Sequence, residues 1–329
     1  AKFGKDFDLA SLREEGFDAV FMGVGAWTGR KMRIPGEELE GVEDGIQFLA
    51  RYHLGDTPKV GKNVIIVGGG NTAIDAARSA LRFGAEKVTL MYRRSKNEMP
   101  ANELEIIAAE EEGIEMLFLA APVKIYGEDG KVNSVEYIKM RLTDPDPSGR
   151  RRPEPIPGSE EVLPADNIIA AIGQSPMIDF VDDGKLEANL QITRWSTIDG
   201  EEETLQTAIP YVFTGGDSYT GPAIAVDAIG AGRYAARSIH FYVNEGDIPE
   251  IEEKQTSLMK ETLFDEVEGL DKVPRIHPRE LNVKVRITNQ DEVEQTITQN
   301  EAQREAERCL RCGLICYNRD TVEELAAVE

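Results

Sequence analysis

The sequence predicts an α/β fold organised around a parallel βαβ unit, and three observations predict it. Residues 63–67, Asn-Val-Ile-Ile-Val, are a short β-branched apolar run of the kind that makes a strand buried on both faces. The run breaks at Gly68-Gly69-Gly70 and resumes with a helical period whose inner stripe is Ala73, Ala76, Ala77 and Ala80. Gly84 then ends the helix, and residues 88–92 supply a second apolar strand.

The turn of this unit reads Gly68-x-Gly70-x-x-Ala73, the G-x-G-x-x-A form of a dinucleotide-binding fingerprint. Gly68 permits the tight turn, Gly70 lets backbone approach a pyrophosphate, and Ala73 keeps helix and strand close. The helix N-terminus offers N–H groups and the positive end of its dipole to phosphates. The end of the second strand selects the dinucleotide. An Asp or Glu there holds the ribose 2′-hydroxyl of NAD, whereas this chain has Arg93 and Arg94. Two guanidinium groups suit a 2′-phosphate, so the expectation is NADPH rather than NADH. A solvated arginine pair at a strand end is the plainer reading of the same residues.

Length and composition narrow the class. The 329 residues are enough for two domains, and 41% hydrophobic with 29% charged residues describes an ordinary soluble protein. No apolar run reaches the roughly eighteen residues a membrane-spanning helix needs. A net charge of −23 argues against nucleic acid and anionic membranes as partners. The first residues carry no apolar core, and the three cysteines crowd into residues 309–316, so a reducing cytoplasm is expected.

In chain order, residues 17–25 (FDAVFMGVG) predict a strand and a glycine turn, followed by Trp27 and the loop Ile34-Pro35-Gly36-Glu37. Residues 43–52 predict a short amphipathic helix and residues 55–61 a polar linker. After the arginine pair, residues 97–101 read as a loop and residues 103–112 as a helix stopped at Gly113. Strands are expected at 114–118, 121–126 and 132–141, the last two joined by the hairpin signal Glu128-Asp129-Gly130. Residues 143–161, rich in Pro, Gly and charge, read as a surface loop. Residues 166–173 (DNIIAAIG) repeat the strand-and-glycine pattern of 18–25, which suits two chain crossings between nucleotide-binding domains; a chance match of two buried strands is the alternative.

Residues 211–237 form the second constellation. A strand ends at Gly215-Gly216-Asp217, a loop holds Gly221-Pro222, and a helix is expected from about Ala223 with the small face Ala225, Ala228, Ala231 and Ala235. Proline is tolerated at a first helical turn, and Asp217 can accept hydrogen bonds from ribityl hydroxyls. From about Glu245 the chain turns acidic, as a linker or wrapping arm does. Residues 299–311 return to helix and lead into Cys309-x2-Cys312-x3-Cys316. Three thiolates in one turn suit an iron–sulfur cluster; a zinc knuckle and a redox-active Cys309–Cys312 pair are the competitors.

With these segments in hand, the chain resembles the flavin-dependent NADPH oxidoreductases typified by the glutamate synthase small subunit. Relatives are the large subunit of the NADH-dependent ferredoxin–NADP reductase, the reductase half of dihydropyrimidine dehydrogenase and, more distantly, adrenodoxin reductase. The motifs that carry the likeness are GGGNTAIDAAR at 68–78, YRRS at 92–95, EMPA at 98–101, AIGQSP at 171–176 and GGDSYTGPAIAVDAIGAGRYAA at 215–236. The resemblance implies a Rossmann-like NADPH-binding domain inserted in a partial FAD-binding domain of the pyridine nucleotide-disulfide oxidoreductase type, with a C-terminal cysteine-containing extension. It divides the chain into residues 1–57 (end of the first half of the FAD domain), 58–165 (NADPH domain), 166–244 (returning FAD segment), 245–298 (acidic arm) and 299–329 (helical cysteine segment).

The same resemblance assigns Gly68, Gly70, Asn71, Thr72, Ala73, Arg93, Arg94, Ile172 and Gly173 to NADPH. It assigns Gly25, Gly216, Asp217, Gly221, Pro222, Ala223 and Ile224 to FAD, and Cys309, Cys312 and Cys316 to a 4Fe–4S or 3Fe–4S cluster. The family opens with an FAD fingerprint that this chain lacks. The expectation is a second chain that supplies that half, with a fragment or a loss of FAD as the alternatives. The activity expected is hydride transfer between NADPH and FAD, with electrons relayed through the cluster to further iron–sulfur or flavin subunits. The rivals are a disulfide reductase working through Cys309 and Cys312, and a structural subunit that binds NADPH without turnover. No side-chain acid or base is required, and His53, His240 and His277 form no constellation with Ser or Cys.

Overall fold

Alternation within the buried strands sets the architecture. In the computed structural model, which describes residues 1–145, 151–178, 180, 190–249 and 274–308, the chain divides into the units Ala1–Glu252 and Glu253–Glu329. The first unit begins with α1 (Leu9–Glu14), β1 (Val20–Met22), β2 (Thr28–Gly29), β3 (Val42–Asp44) and α2 (Gly45–His53). It continues through β4 (Asn63–Val67), α3 (Asn71–Arg82), β5 (Lys87–Tyr92), α4 (Glu103–Glu111) and β6 (Glu115–Phe118). Then come β7 (Ala120–Glu128), β8 (Lys131–Leu142), β9 (Pro153–Pro155), β10 (Glu161–Pro164), β11 (Asn167–Ala170), β12 (Gln174–Ser175), β13 (Val212–Thr214) and the long helix α5 (Ala225–Glu245).

Strands β3, β11, β4, β5 and β6 form a five-stranded sheet in that order, every neighbouring pair parallel. Successive side chains point to opposite faces, so each strand serves two cores. Val64, Ile66, Leu90 and Ile169 face α2, α3 and α4 and pack with Phe48, Ile74, Ala77 and Ile106. Ile65, Val67, Met91 and Ile168 face the other way and pack with Ile125, Val135 and Tyr137 of the antiparallel sheet β7–β8–β10. Each such aliphatic side chain contributes roughly 1.5–3 kcal/mol on burial. A third core, around Leu9, Met22, Ile198, Ile209 and Val212, packs under the parallel pair β1–β13.

The sheet takes β3 from residues 1–57 and β11 from residues 166–244, so it is wider than residues 58–165 alone. The reason is ladder pairing: Asn167–Ala170 run in register with Val64–Val67 on one side and, from Ile168, with Val42–Asp44 on the other. The two passages of chain between the five-stranded sheet and the β1–β13 pair run side by side as the antiparallel strands β2 and β12.

The expected loop at 143–161 is partly strand. Pro153–Pro155 and Glu161–Pro164 both pair antiparallel with β8 along one edge. Proline is compatible with such an edge because its missing N–H need not serve a further strand. In the second unit, Asn282 caps the short helix Val283–Arg286, and Thr298 with Glu301 forms the capping box that opens Gln299–Glu307. Much of the acidic arm and all three cysteines lie outside the described residues. No described helix is long and apolar enough to cross a membrane.

Candidate functional site

The nucleotide turn is built by three glycines with three different tasks. Gly68 has φ +151, and a Cβ there would fall 2.3 Å from the Ala171 carbonyl oxygen and 3.2 Å from Ala73 Cβ. Its requirement is therefore close approach of the β4 and β11 ends as much as the turn itself. Gly69 lies against the ring of Tyr92, where a Cβ would come within 2.5 Å. Gly70 is the N-cap of α3 and caps it with no side chain; a Cβ there would meet only Pro100, at 3.9 Å. The space above the first turn of α3 is thus left open, on the side where the helix dipole is positive.

Side chains from distant segments frame this opening. Asn71 Oδ1 accepts the Asn102 N–H at 2.9 Å, and the Ala101 N–H reaches the Gly69 carbonyl at 3.3 Å. The Tyr92 hydroxyl donates to the Glu98 carbonyl at 2.7 Å, so the EMPA segment is pinned beside the turn. Gln174 Nε2 lies 3.4 Å from Thr72 Oγ1, joining the first turn of α3 to β12. Ile172 is exposed, and Gly173 has φ +120 with the stem of Arg30 beside it. Arg93 is exposed and Arg94 half-buried, and no carboxylate of the described residues pairs with either. Arg94 Nε is buried with no hydrogen-bond partner, and the Arg94 carbonyl is held by the N–H of Leu119, itself left-handed at φ 54.

The second constellation lies at the ends of β1 and β13. The Ser218 hydroxyl sits 2.9 Å from the Met22 carbonyl and 2.7 Å from the Gly215 carbonyl, and Thr214 Oγ1 lies 3.2 Å from Met22 O. These buried hydroxyls tie the 23–25 turn to the 215–217 turn. Gly25, Gly216 and Gly221 all have left-handed φ (69, 62 and 79), which side chains disfavour. Between the turns opens a cleft of about 380 Å³ lined by Phe21, Gly23, Gly25, Gly215, Gly216, Asp217, Ala225, Ala228 and the loop residues Ala223 and Ile224. Helix α5 starts at Ala225, two residues later than the sequence suggests, because Asp217 Oδ1 captures the Ala223 N–H at 3.2 Å and holds Pro222–Ile224 as a turn. Ala228 and Ala231 then approach Gly216 and Gly215 closely.

Residues 3–232 match the pyridine nucleotide-disulphide oxidoreductase family. The chain belongs to that family. It is 40% identical to NADPH-Fe(3+) oxidoreductase subunit beta of Geobacter sulfurreducens, over 94% of this chain and 50% of that one. It is 38% identical to the NADP(+)-dependent formate dehydrogenase subunit beta of Moorella thermoacetica, over 94% and 44%. It is 36% identical to the glutamate synthase [NADPH] small chain of Escherichia coli, over 72% and 52%. The chain thus spans about half the length of these relatives. Among solved structures, FprA from Mycobacterium tuberculosis in complex with NADPH shares the fold (TM-score 0.60, 19% identity, 76% of this chain and 69% of that one). Thioredoxin reductase of Lactococcus lactis aligns at TM-score 0.52 and 25% identity, over 69% and 66%.

Sequence reading identified both glycine turns of this oxidoreductase fold; its motifs at 171–176 and 215–236 contain Gln174 and Ser218 without giving either a task, and Asn102 and Arg30 carried no signal. Each of these acts through a contact with a segment remote in sequence or through a backbone carbonyl, which leaves no periodic signature. Cys309, Cys312 and Cys316 lie outside the described residues. Among the described residues no cluster of His, Cys, Asp or Glu is arranged to hold a metal.

Proposed function

We propose that the chain is the NADPH-handling part of a flavin oxidoreductase that works within a multisubunit complex. The observation that carries the reading is the open, side-chain-free N-cap of α3 standing near a strand end with two arginines that no described carboxylate neutralises. A dinucleotide fits that arrangement: Gly70 leaves room for a diphosphate, and Arg93 and Arg94 supply charge for a 2′-phosphate. The buried, unpartnered Arg94 Nε supports the same fit, since a guanidinium nitrogen without an acceptor is costly unless a ligand satisfies it. Names of the relatives from Geobacter, Moorella and Escherichia support an NADPH-linked redox role and a place among other subunits.

The cleft between Gly25 and Asp217 fits part of a flavin nucleotide. Its floor is glycine backbone, Asp217 retains a carboxylate oxygen for a hydroxyl, and the N-terminus of α5 is left without a side-chain cap. When bound, FAD would take hydride from NADPH and release electrons one at a time. The chain's own residues bind and orient: Thr214 and Ser218 hold the two turns at one spacing, and Ala228 and Ala231 keep α5 close to them. We assign an iron–sulfur cluster to Cys309, Cys312 and Cys316 on their spacing. Residues 58–165, with β3 and β11 added, form the NADPH domain in this reading, and β1, β13 and α5 the flavin segment.

Replacing Arg93 and Arg94 together by Ala tests the nucleotide assignment. The KM for NADPH should rise by about 10- to 100-fold and that for NADH by less than about threefold, as expected for loss of charge-assisted hydrogen bonds to one phosphate. Equal effects on both cofactors would sink the 2′-phosphate assignment. An anaerobic visible spectrum of the protein with whatever co-purifies, before and after NADPH, tests the rest. Flavin bands that bleach, over a broad iron–sulfur shoulder, are expected; a colourless protein that still binds NADPH would leave only the nucleotide-binding role.

A further inference from the structure

We propose that Glu98 is a positioning residue for the arginine pair and through it sets the preference for a 2′-phosphate, an inference that rests on the NADPH reading above. Arg93 and Arg94 stand between two residues that Glu98 holds. On one side, the Tyr92 hydroxyl donates to the Glu98 carbonyl at 2.7 Å. On the other, the Ser95 N–H donates to Glu98 Oε2 at 3.1 Å, and the Ser95 hydroxyl donates to the same oxygen. The Glu98 N–H returns to the Ser95 carbonyl at 3.2 Å. The chain therefore leaves β5, presents two guanidinium groups, and is closed on both flanks by one glutamate.

The closure is itself anchored. Tyr92 and Met99 are buried in one core, and Tyr92 pairs in register with Phe118 of β6. Lys96 Nζ reaches both carboxylate oxygens of Glu110 in α4, at 2.7 and 2.8 Å. The Arg94 carbonyl accepts the Leu119 N–H at 3.1 Å, and the Leu119 carbonyl accepts the Met140 N–H at 2.7 Å, so the antiparallel sheet fixes the same backbone. Leu119 does this at φ 54, a conformation that persists only where its surroundings enforce it. Arg94 Nε is buried with no hydrogen-bond partner among the described residues, so the backbone on either side carries the positioning.

The sign of the effect is informative. A negative charge beside a bound 2′-phosphate opposes it, so a Glu98 that acted by charge alone would weaken NADPH binding. A Glu98 that holds Ser95 strengthens it, because guanidinium groups already in place lose little freedom on closing over a phosphate. The paired hydrogen bonds from Ser95 to one carboxylate oxygen favour the second.

The experiment is direct binding of NADPH, NADH and adenosine 2′-phosphate to the full chain and its variants, by calorimetry or quenching of intrinsic fluorescence. Glu98→Ala should weaken NADPH and adenosine 2′-phosphate by about fivefold to twentyfold and leave NADH within about twofold, the pattern of R93A/R94A at smaller size. Glu98→Gln keeps an acceptor for Ser95 while removing the charge, and should recover most of that loss. Tyr92→Phe frees the Glu98 carbonyl and keeps the ring, and should lower the preference for NADPH in the same direction. Tighter NADPH binding in both Glu98 variants would show that the carboxylate acts as a charge and would overturn the assignment. Unchanged NADPH affinity in E98A, or an equal loss of NADPH and NADH, would overturn it as well. If the wild-type chain binds neither dinucleotide, or R93A/R94A leaves NADPH unaffected, the NADPH reading itself falls, an outcome read without any Glu98 variant.

Discussion

The two halves of the first unit use one device with opposite results. Each has a parallel strand that ends in glycines and precedes a helix with a stripe of alanines. In the nucleotide half, Ile74, Ala76 and Ala77 of α3 are fully buried against a five-stranded sheet covered on both faces. In the other half, α5 rests on a two-stranded pair, and Ile224, Val226 and Ile229 at its start are 64%, 65% and 71% exposed. Apolar side chains left this open contrast with the closed core under α3. The nucleotide half therefore has a core closed on both faces of its sheet, whereas the cleft beside α5 borders apolar side chains that the described residues leave uncovered.

The strongest way to break the comparison is to attack what locks the nucleotide half. Glu112, with a fully buried side chain, receives Arg78 at 2.9 Å and Arg82 at 3.1 Å, so α3 and the end of α4 are joined through a buried ion cluster. Glu112→Ala should cost about 3–5 kcal/mol, because it removes the shared acceptor of two largely buried guanidinium groups and leaves, among the described residues, Arg82 without an ion pair and Arg78 with Glu105 alone. Burial alone would raise the Glu112 pKa, but Arg78 and then Arg82 hold it below its ordinary value of 4.5. A depressed carboxylate pKa gives stability that is present above the unfolded value and lost as pH falls through the folded one. Thermal melts should thus show a loss setting in below about pH 4.5 that is diminished in Glu112→Gln. An acid profile identical in the two proteins would remove Glu112 from the account.

Next in size is a matched pair of truncations. Ile74→Ala in α3 should destabilise by about 2–5 kcal/mol, the usual cost of a cavity in a closed core. Ile229→Ala in α5 should change the stability of the isolated chain by less than about 0.5 kcal/mol. In the assembled complex the same Ile229→Ala should weaken retention of the partner on a sizing column. Similar denaturation midpoints for the two variants would contradict the contrast between the halves.

What was legible in the sequence follows the same division. The βαβ unit could be read because its strand period, glycine turn and alanine stripe are all local. The hairpin at Asp129-Gly130 was legible for the same reason, and its two turn residues do take positive φ, 52 and 80. The edge strands β9 and β10 were hidden by Pro153, Pro155 and Pro164, which read as loop until β8 is available to pair with them. The start of α5 was missed because it depends on one side chain, Asp217, reaching six residues ahead. The contact between Arg30 and Gln174 had no local signal, although Gln174 lies in the AIGQSP motif: it spans 144 positions and belongs to the topology.

The smallest effect separates backbone strain from site geometry. Gly130 and Gly216 both have positive φ, 80 and 62, but Gly216 combines it with ψ −153, a region almost confined to glycine, so a side chain costs about 1 kcal/mol at Gly130 and about 1–3 kcal/mol at Gly216. Their surroundings differ. A Cβ on Gly130 meets nothing within 4 Å, whereas one on Gly216 stands 3.3 Å from Ala228 Cβ, at the edge of the cleft. Gly130→Ala should therefore lower stability by about 1 kcal/mol and leave nucleotide and flavin binding unchanged, since the hairpin tip touches neither opening. Gly216→Ala should cost at least that much in conformation and in addition push α5 outward, so that flavin retention falls even at temperatures where both variants remain folded. Equal flavin retention in the two variants, measured where both remain folded, would mean that the close approach of α5 to the Gly215–Asp217 turn does not shape the cleft.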